Sequence, residues 1–140
     1  MKKIYKILVI NPGSTSTKVA IYENENQINE NNLDVFREEL AKCKTIFDQY
    51  EMRRRAIEEY VDSQHMKISD FDFIVSRGCG GGNQKAGAYF IDEAYVKQCH
   101  DYETPHPSSL GPCIAYDLAK ENGIAAYVYD AEGVNEFNKY

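Results

Sequence analysis

Ile7-Leu8-Val9-Ile10-Asn11-Pro12-Gly13-Ser14-Thr15-Ser16-Thr17-Lys18 is the stretch whose reading decides the fold. Ile4 to Ile10 is apolar and rich in β-branched residues, and it stops at the turn signal Asn11-Pro12-Gly13. Thr17 to Tyr22 is strand-like again, and a polar turn follows over Glu23 to Asn26. A turn rich in Gly, Ser and Thr between two strands gathers N–H groups and hydroxyls at one point, which suits phosphate oxygens. It is not a Walker A loop, because that motif continues into a helix and a strand follows here. Read alone, the same turn is also compatible with a plain polar hairpin.

Outward from the hairpin, Ile28 to Arg37 holds a weaker third strand with Leu33, Val35 and Phe36 as its apolar content. The period then changes. Ile46, Tyr50, Ile57, Tyr60 and Val61 recur at mostly three- and four-residue spacings, which predicts an amphipathic helix over Thr45 to Ser63. Phe71 to Val75 reads as a short buried strand ending before Ser76-Arg77-Gly78 and a run of glycines. Asp92 is placed to cap a helix running toward Cys99. Pro107 to Glu121 reads as another helix, stopped by Asn122-Gly123, and Ile124 to Tyr129 as a last strand closing at Asp130. Ala131 to Tyr140 has space for about two helical turns. The pattern predicts one α/β domain with a mixed sheet, antiparallel at its start and parallel where helices supply the crossovers.

Composition narrows the function classes. The chain has 140 residues, 43% hydrophobic and 27% charged, with nine Gly and four Pro, values outside those of disordered or collagen-like chains. The apolar run Ile7 to Ile10 is far shorter than the ~20 residues of a membrane span and lacks the form of a signal peptide. The expectation is a soluble, cytoplasmic protein with no membrane partner. Sixteen Lys and Arg against 22 Asp and Glu give a net charge of -6, so no nucleic-acid partner is expected. The one basic cluster, Arg53-Arg54-Arg55, is flanked by Glu51, Glu58 and Glu59 and reads as a solvated, salt-bridged helix face. Cys43, Cys79, Cys99 and Cys113 form no Cys-x-x-Cys pair, and four reduced thiols are expected.

Four features carry candidate chemistry. The first is the Asn11 to Lys18 turn. Arg77 stands at a strand end, where it could fork onto carboxylate or phosphate. His106 lies between Pro105 and Pro107 at a helix start, where free amides and the helix dipole favour an anion; His65 and His100 lack this setting and read as surface residues. Asp130 closes an apolar strand, at the end where ligands gather in open α/β sheets, and carboxylates there commonly hold Mg²⁺.

The same residues carry a resemblance. Ile7 to Lys18 closely resembles the opening of the butyrate kinases and their relatives, the acetate kinases. Lys44 to Tyr50 with its Ile-Phe-Asp-Gln-Tyr, Val75-Ser76-Arg77-Gly78, and His106 to Lys120 with its Ser-Leu-Gly and Ala-Tyr-Asp-Leu-Ala-Lys match in order, as does the strand closing at Asp130. The resemblance implies a ribonuclease-H-like lobe of the acetate and sugar kinase, actin and heat-shock chaperone ATPase superfamily. It implies ATP and Mg²⁺ as cofactors, and reversible phosphoryl transfer to a short-chain carboxylate, butyrate or a branched relative, giving ADP and an acyl phosphate. Asn11, Ser14 and Ser16, in the turn with Gly13 and Lys18, match positions that contact phosphate and its metal. Arg77 and His106 match positions holding the carboxylate and the phosphoryl group in flight, and Asp130 a magnesium-associated acid. Cys79 to Gly87 departs from the family text near the expected acyl site. These kinases are two-lobed and commonly oligomeric, so residues 1–140 are expected to form the N-terminal lobe, with the second lobe absent and the chain nearly silent alone. A non-catalytic phosphate- or partner-binding module and a dimerisation domain are the competing readings.

Overall fold

The hairpin read from the sequence is formed by β1 (Lys6–Pro12) and β2 (Ser16–Glu23), and β3 (Asn26–Asp34) extends it into an antiparallel meander. The computed structural model describes residues 3–35, 37–77, 88–101 and 107–129. After β3 the chain passes through α1 (Arg37–Ala41) and a 3₁₀ turn (Ile46–Gln49) into α2 (Tyr50–Ser63). Then come β4 (Phe73–Arg77), β5 (Ala88–Phe90), α3 (Glu93–Asp101), a 3₁₀ turn (Pro107–Ser109), α4 (Leu110–Asn122) and β6 (Ala125–Tyr129). The strands form one sheet in the order β3-β2-β1-β4-β6-β5. β1, β4 and β6 are parallel neighbours, and β5 runs antiparallel along the edge. The expected mixed sheet is present, with β5 and α1 added to it.

Local chemistry sets the boundaries. Thr45 and Asp48 form a reciprocal capping box at the start of the 3₁₀ turn, and Asp48 also accepts the Lys44 N–H at 2.8 Å. Those backbone bonds hold the Asp48 carboxyl below its usual range. Asp92 caps α3 as expected, its Oδ1 accepting the Tyr95 N–H at 2.8 Å. Gly123 ends α4 at φ 69°, a left-handed conformation that glycine adopts without a Cβ penalty.

Register then sorts the sheet into two faces. Leu8, Ile10, Val19, Ile21, Ile74, Ala126 and Val128 are buried on one face, packed with Ile57, Tyr60 and Val61 of α2 and Leu110, Ile114 and Leu118 of α4. Fully burying each Leu, Ile or Val stabilises by roughly 1.5–3 kcal/mol. Ile7, Val9, Phe73, Val75 and Tyr127 on the opposite face are only half-buried. The rings of Tyr5, Phe73, Tyr127 and Phe90 follow one another at centroid spacings of 6.4, 5.5 and 5.9 Å. Two segments distant in sequence meet where α2 joins α4. The Tyr50 hydroxyl donates to Asp117, and Arg54 pairs with Glu121 at 2.7 Å.

Candidate functional site

The turn between β1 and β2 is held from behind. Gly13 N–H donates to Ser16 O at 2.7 Å and closes it. Arg53 reaches it from α2. Its Nη2 donates to Gly13 O at 2.6 Å and Ser14 O at 3.3 Å, and its Nη1 to Ser16 O at 3.1 Å and Thr17 Oγ1 at 3.0 Å. Its Nε donates to Gln49 Oε1 at 2.9 Å. Arg53 is 0% exposed, which corrects the reading of Arg53 to Arg55 as a solvated face. Only Arg55 is exposed, and Arg54 bonds Glu58 and Glu121. The physical reason is helical phase. Position 53 continues the stripe of Tyr50, Ile57 and Tyr60, and the carbonyls of the turn replace the water its guanidinium loses. Burial pulls that guanidinium below its ordinary pKa, though arginine stays charged.

This grip orients the turn. In a trans peptide the carbonyl of one residue and the N–H of the next point in opposite directions. With the Gly13 and Ser14 carbonyls turned to Arg53, the N–H groups of Ser14 and Thr15 face away from it. Neither amide has a partner among the described residues. Two adjacent free amides form an anion-binding concavity. Arg53 lies on the helix-covered side, so the amides face the side where Asn11 projects.

Asn11 begins a row across the strand ends. It pairs with Lys18, Arg77 pairs with Tyr129, and the adjoining pair Ile10–Ser76 sets Asn11 beside Arg77. Paired residues share a sheet face, so Lys18, Asn11, Arg77 and Tyr129 project together. Arg77 is exposed, Asn11 half-buried, and Lys18 pairs with Glu30 at 3.4 Å. Tyr129 did not emerge from the sequence. Burial pushes its phenol pKa up, while the charges of Arg77 and Lys18 pull it down. Its alternation with Tyr127, one residue before Asp130, was the available signal.

The first turn of α4 lies against the same strand ends. A Cβ at Gly111 would overlap Ser76 Oγ and stand 3.1 Å from Pro12 Cδ, so only glycine permits this approach. Ser109, just before α4, is fully buried, and its Oγ has no hydrogen-bond partner among the described residues. His106 and Asp130 lie outside the described residues. Cys43, Cys99 and Cys113 form no disulfide among the described residues, and Cys79 lies outside those residues. His65 and His100 are exposed as expected, His100 stacked on Phe47 at 4.2 Å.

The groups present fit a phosphate: two free amides, the Ser14 and Ser16 hydroxyls, and cations at Lys18 and Arg77. Among the described residues no three His, Cys, Asp or Glu side chains gather as a metal cage. Mg²⁺ usually keeps several waters and takes one or two protein oxygens beside the phosphates, which Asn11 suits as one donor. No described helix is long and apolar enough to cross a membrane.

The fold is that of one lobe of the acetate and sugar kinase and actin class. An acetate kinase from Entamoeba histolytica superposes with a TM-score of 0.56 at 16% identity, covering 91% of this chain and 36% of that one. The sequence relationship is closer, and it is to butyrate kinases. A probable butyrate kinase from Thermotoga petrophila is 42% identical over 134 residues, 95% of this chain. Butyrate kinase 1 from Clostridium acetobutylicum is 34% identical over 137 residues, 97% of this chain. The chain spans 38% and 39% of the length of these two relatives. No protein-family model matches it.

Proposed function

We propose that the chain is the N-terminal lobe of a butyrate-kinase-like enzyme that moves a phosphoryl group between ATP and a short-chain carboxylate, giving an acyl phosphate. One observation carries this reading: the Ser14 and Thr15 amides, with no partner among the described residues, lie on the turn that follows Asn11 in a chain 42% identical to a probable butyrate kinase over 134 residues. Phosphoryl transfer depends on positioning and charge neutralisation more than on covalent help. The Ser14 and Thr15 amides, with the Ser14 and Ser16 hydroxyls, take the phosphate oxygens, and Gly13 lets the turn close tightly. Lys18 adds positive charge at the rim. Arg77 holds the carboxylate, and His106 steadies the phosphoryl group between donor and acceptor. Asn11 and Asp130 are the protein's ligands for Mg²⁺. When bound, Mg²⁺ neutralises phosphate charge. A second lobe supplies the adenosine pocket, so residues 1–140 alone turn over little.

The test is a hydroxamate assay for acyl phosphate with ATP, Mg²⁺ and butyrate. The isolated chain is compared with a chimera in which it replaces the matching part of the Clostridium acetobutylicum enzyme. The expected result is a silent chain and an active chimera that loses about 100- to 1,000-fold with Arg77→Ala. A chimera indifferent to Arg77→Ala refutes the site. A folded chimera that is inactive while still binding phosphate favours the non-catalytic module.

A further inference from the structure

We propose that Arg53 is a positioning residue for phosphate binding: it grips the carbonyls of the β1–β2 turn from the helix side and thereby aims the Ser14 and Thr15 amides at the ligand. The inference rests on the phosphate reading of that turn and extends it to a residue that does not touch the ligand. Three features carry it. The guanidinium is 0% exposed, although arginine is almost never fully buried without a partner. Four of its five hydrogen bonds end on the turn itself, on Gly13 O, Ser14 O, Ser16 O and Thr17 Oγ1, and the fifth on Gln49, which fixes its plane. All five acceptors are neutral. Asp34, Glu39 and Glu59 line a cleft of about 300 Å³ beside it, yet none of them forms an ion pair with it.

A buried cation satisfied only by dipoles does two things to the turn. It fixes the peptide planes, because rotating either peptide to point its amide inward would remove a charge-assisted hydrogen bond. It also leaves a positive charge directly behind the amides, where little water screens it, so an anion on the opposite side is favoured. Lysine cannot replace it. An ammonium is a point donor, whereas the planar fork spans several carbonyls at once.

The experiment follows the backbone amide signals of Ser14 and Thr15 by NMR while inorganic phosphate is added to the 140-residue chain. Wild type, Arg53→Lys and Gln49→Met are compared. The expected result is a saturable shift of both amides in wild type. Arg53→Lys, with its other amide signals unchanged, should bind phosphate about tenfold more weakly or worse, the worth of one hydrogen bond to a charged group. Gln49→Met should lose a smaller factor, because the grip on the turn remains while the fork is less fixed. If Arg53→Lys does not fold, Gln49→Met decides alone, and wild-type affinity in it overturns the proposal. A folded Arg53→Lys with wild-type affinity overturns it too and reduces Arg53 to a structural staple, leaving the phosphate turn intact. Wild type showing no shift at Ser14 and Thr15 overturns both the phosphate turn and the role of Arg53.

Discussion

Replacing Gly111 by alanine tests how closely α4 is seated on the strand ends. The new Cβ would overlap Ser76 Oγ and lie 3.1 Å from Pro12 Cδ. Ser76 is fully buried, and its Oγ donates to Arg77 O at 3.1 Å, so the hydroxyl must give up that bond to move aside. Pro12 cannot move aside, because its ring is part of the backbone. Overpacking of this kind costs about 1–3 kcal/mol, and the lost hydrogen bond about 1 kcal/mol more. Alanine gains about 1 kcal/mol over glycine inside a helix. The net expectation is a destabilisation of about 1–3 kcal/mol, read as a lower urea midpoint at unchanged slope. The cause is isolated by a double-mutant cycle, since Ser76→Ala removes the overlapping oxygen. Gly111→Ala should cost about 1–2 kcal/mol less in that background than in wild type. Gly111→Ala that is neutral or stabilising, or equal costs in both backgrounds, would refute the close seating.

Two further substitutions probe how the helices are held. Arg54 bonds the Glu121 carboxylate at 2.7 Å and holds its pKa below the ordinary 4.5. A carboxyl lowered in the folded state adds stability above its unfolded pKa and loses it as pH falls through the folded value. Glu121→Gln should therefore cost about 0.5 kcal/mol at neutral pH, as expected for an exposed pair, and nothing in strong acid. Thermal unfolding across that range checks it, and a cost independent of pH would contradict the ion-pair account. Ile114→Ala removes a fully buried side chain from the face of α4 packed on the sheet. It should cost about 2–5 kcal/mol by chemical denaturation, and a loss under 1 kcal/mol would mean that α4 is not seated as described.

The fold was legible where local signals and packing agree. β1 and β2 are short apolar runs around a strong turn, and α4 ends on a glycine that the left-handed cap requires. β1, β4 and β6 are parallel neighbours, in line with the helices read between the later strands. β5 was not legible. Its three residues, Ala88 to Phe90, are too few to show alternation, and their pairing with β6 is fixed only by tertiary contact. The same holds for Tyr50 and Asp117, each visible in a matching segment, whose hydrogen bond appears only once α2 and α4 pack together.

The candidate site was legible at its polar turn and strand-end residues and hidden at the residue that supports them. Asn11, Ser14, Ser16 and Arg77 announce themselves by residue type at a turn or strand end, where exposure is the default and polarity needs no partner. Arg53 carried the opposite signal. Set among Arg54, Arg55, Glu58 and Glu59, it reads as surface by composition, because burying an arginine is costly without compensation. Phase argued otherwise, since 53 stands three residues after Tyr50 and four before Ile57 on the stripe that faces the sheet. The conflict is resolved only when carbonyls waiting at that place are known, and those belong to a turn 36 to 40 residues earlier. A charged residue in phase with a buried helical stripe is thus a pointer to a polar backbone feature opposite it. In this chain the feature opposite is the turn that carries the proposed phosphate site.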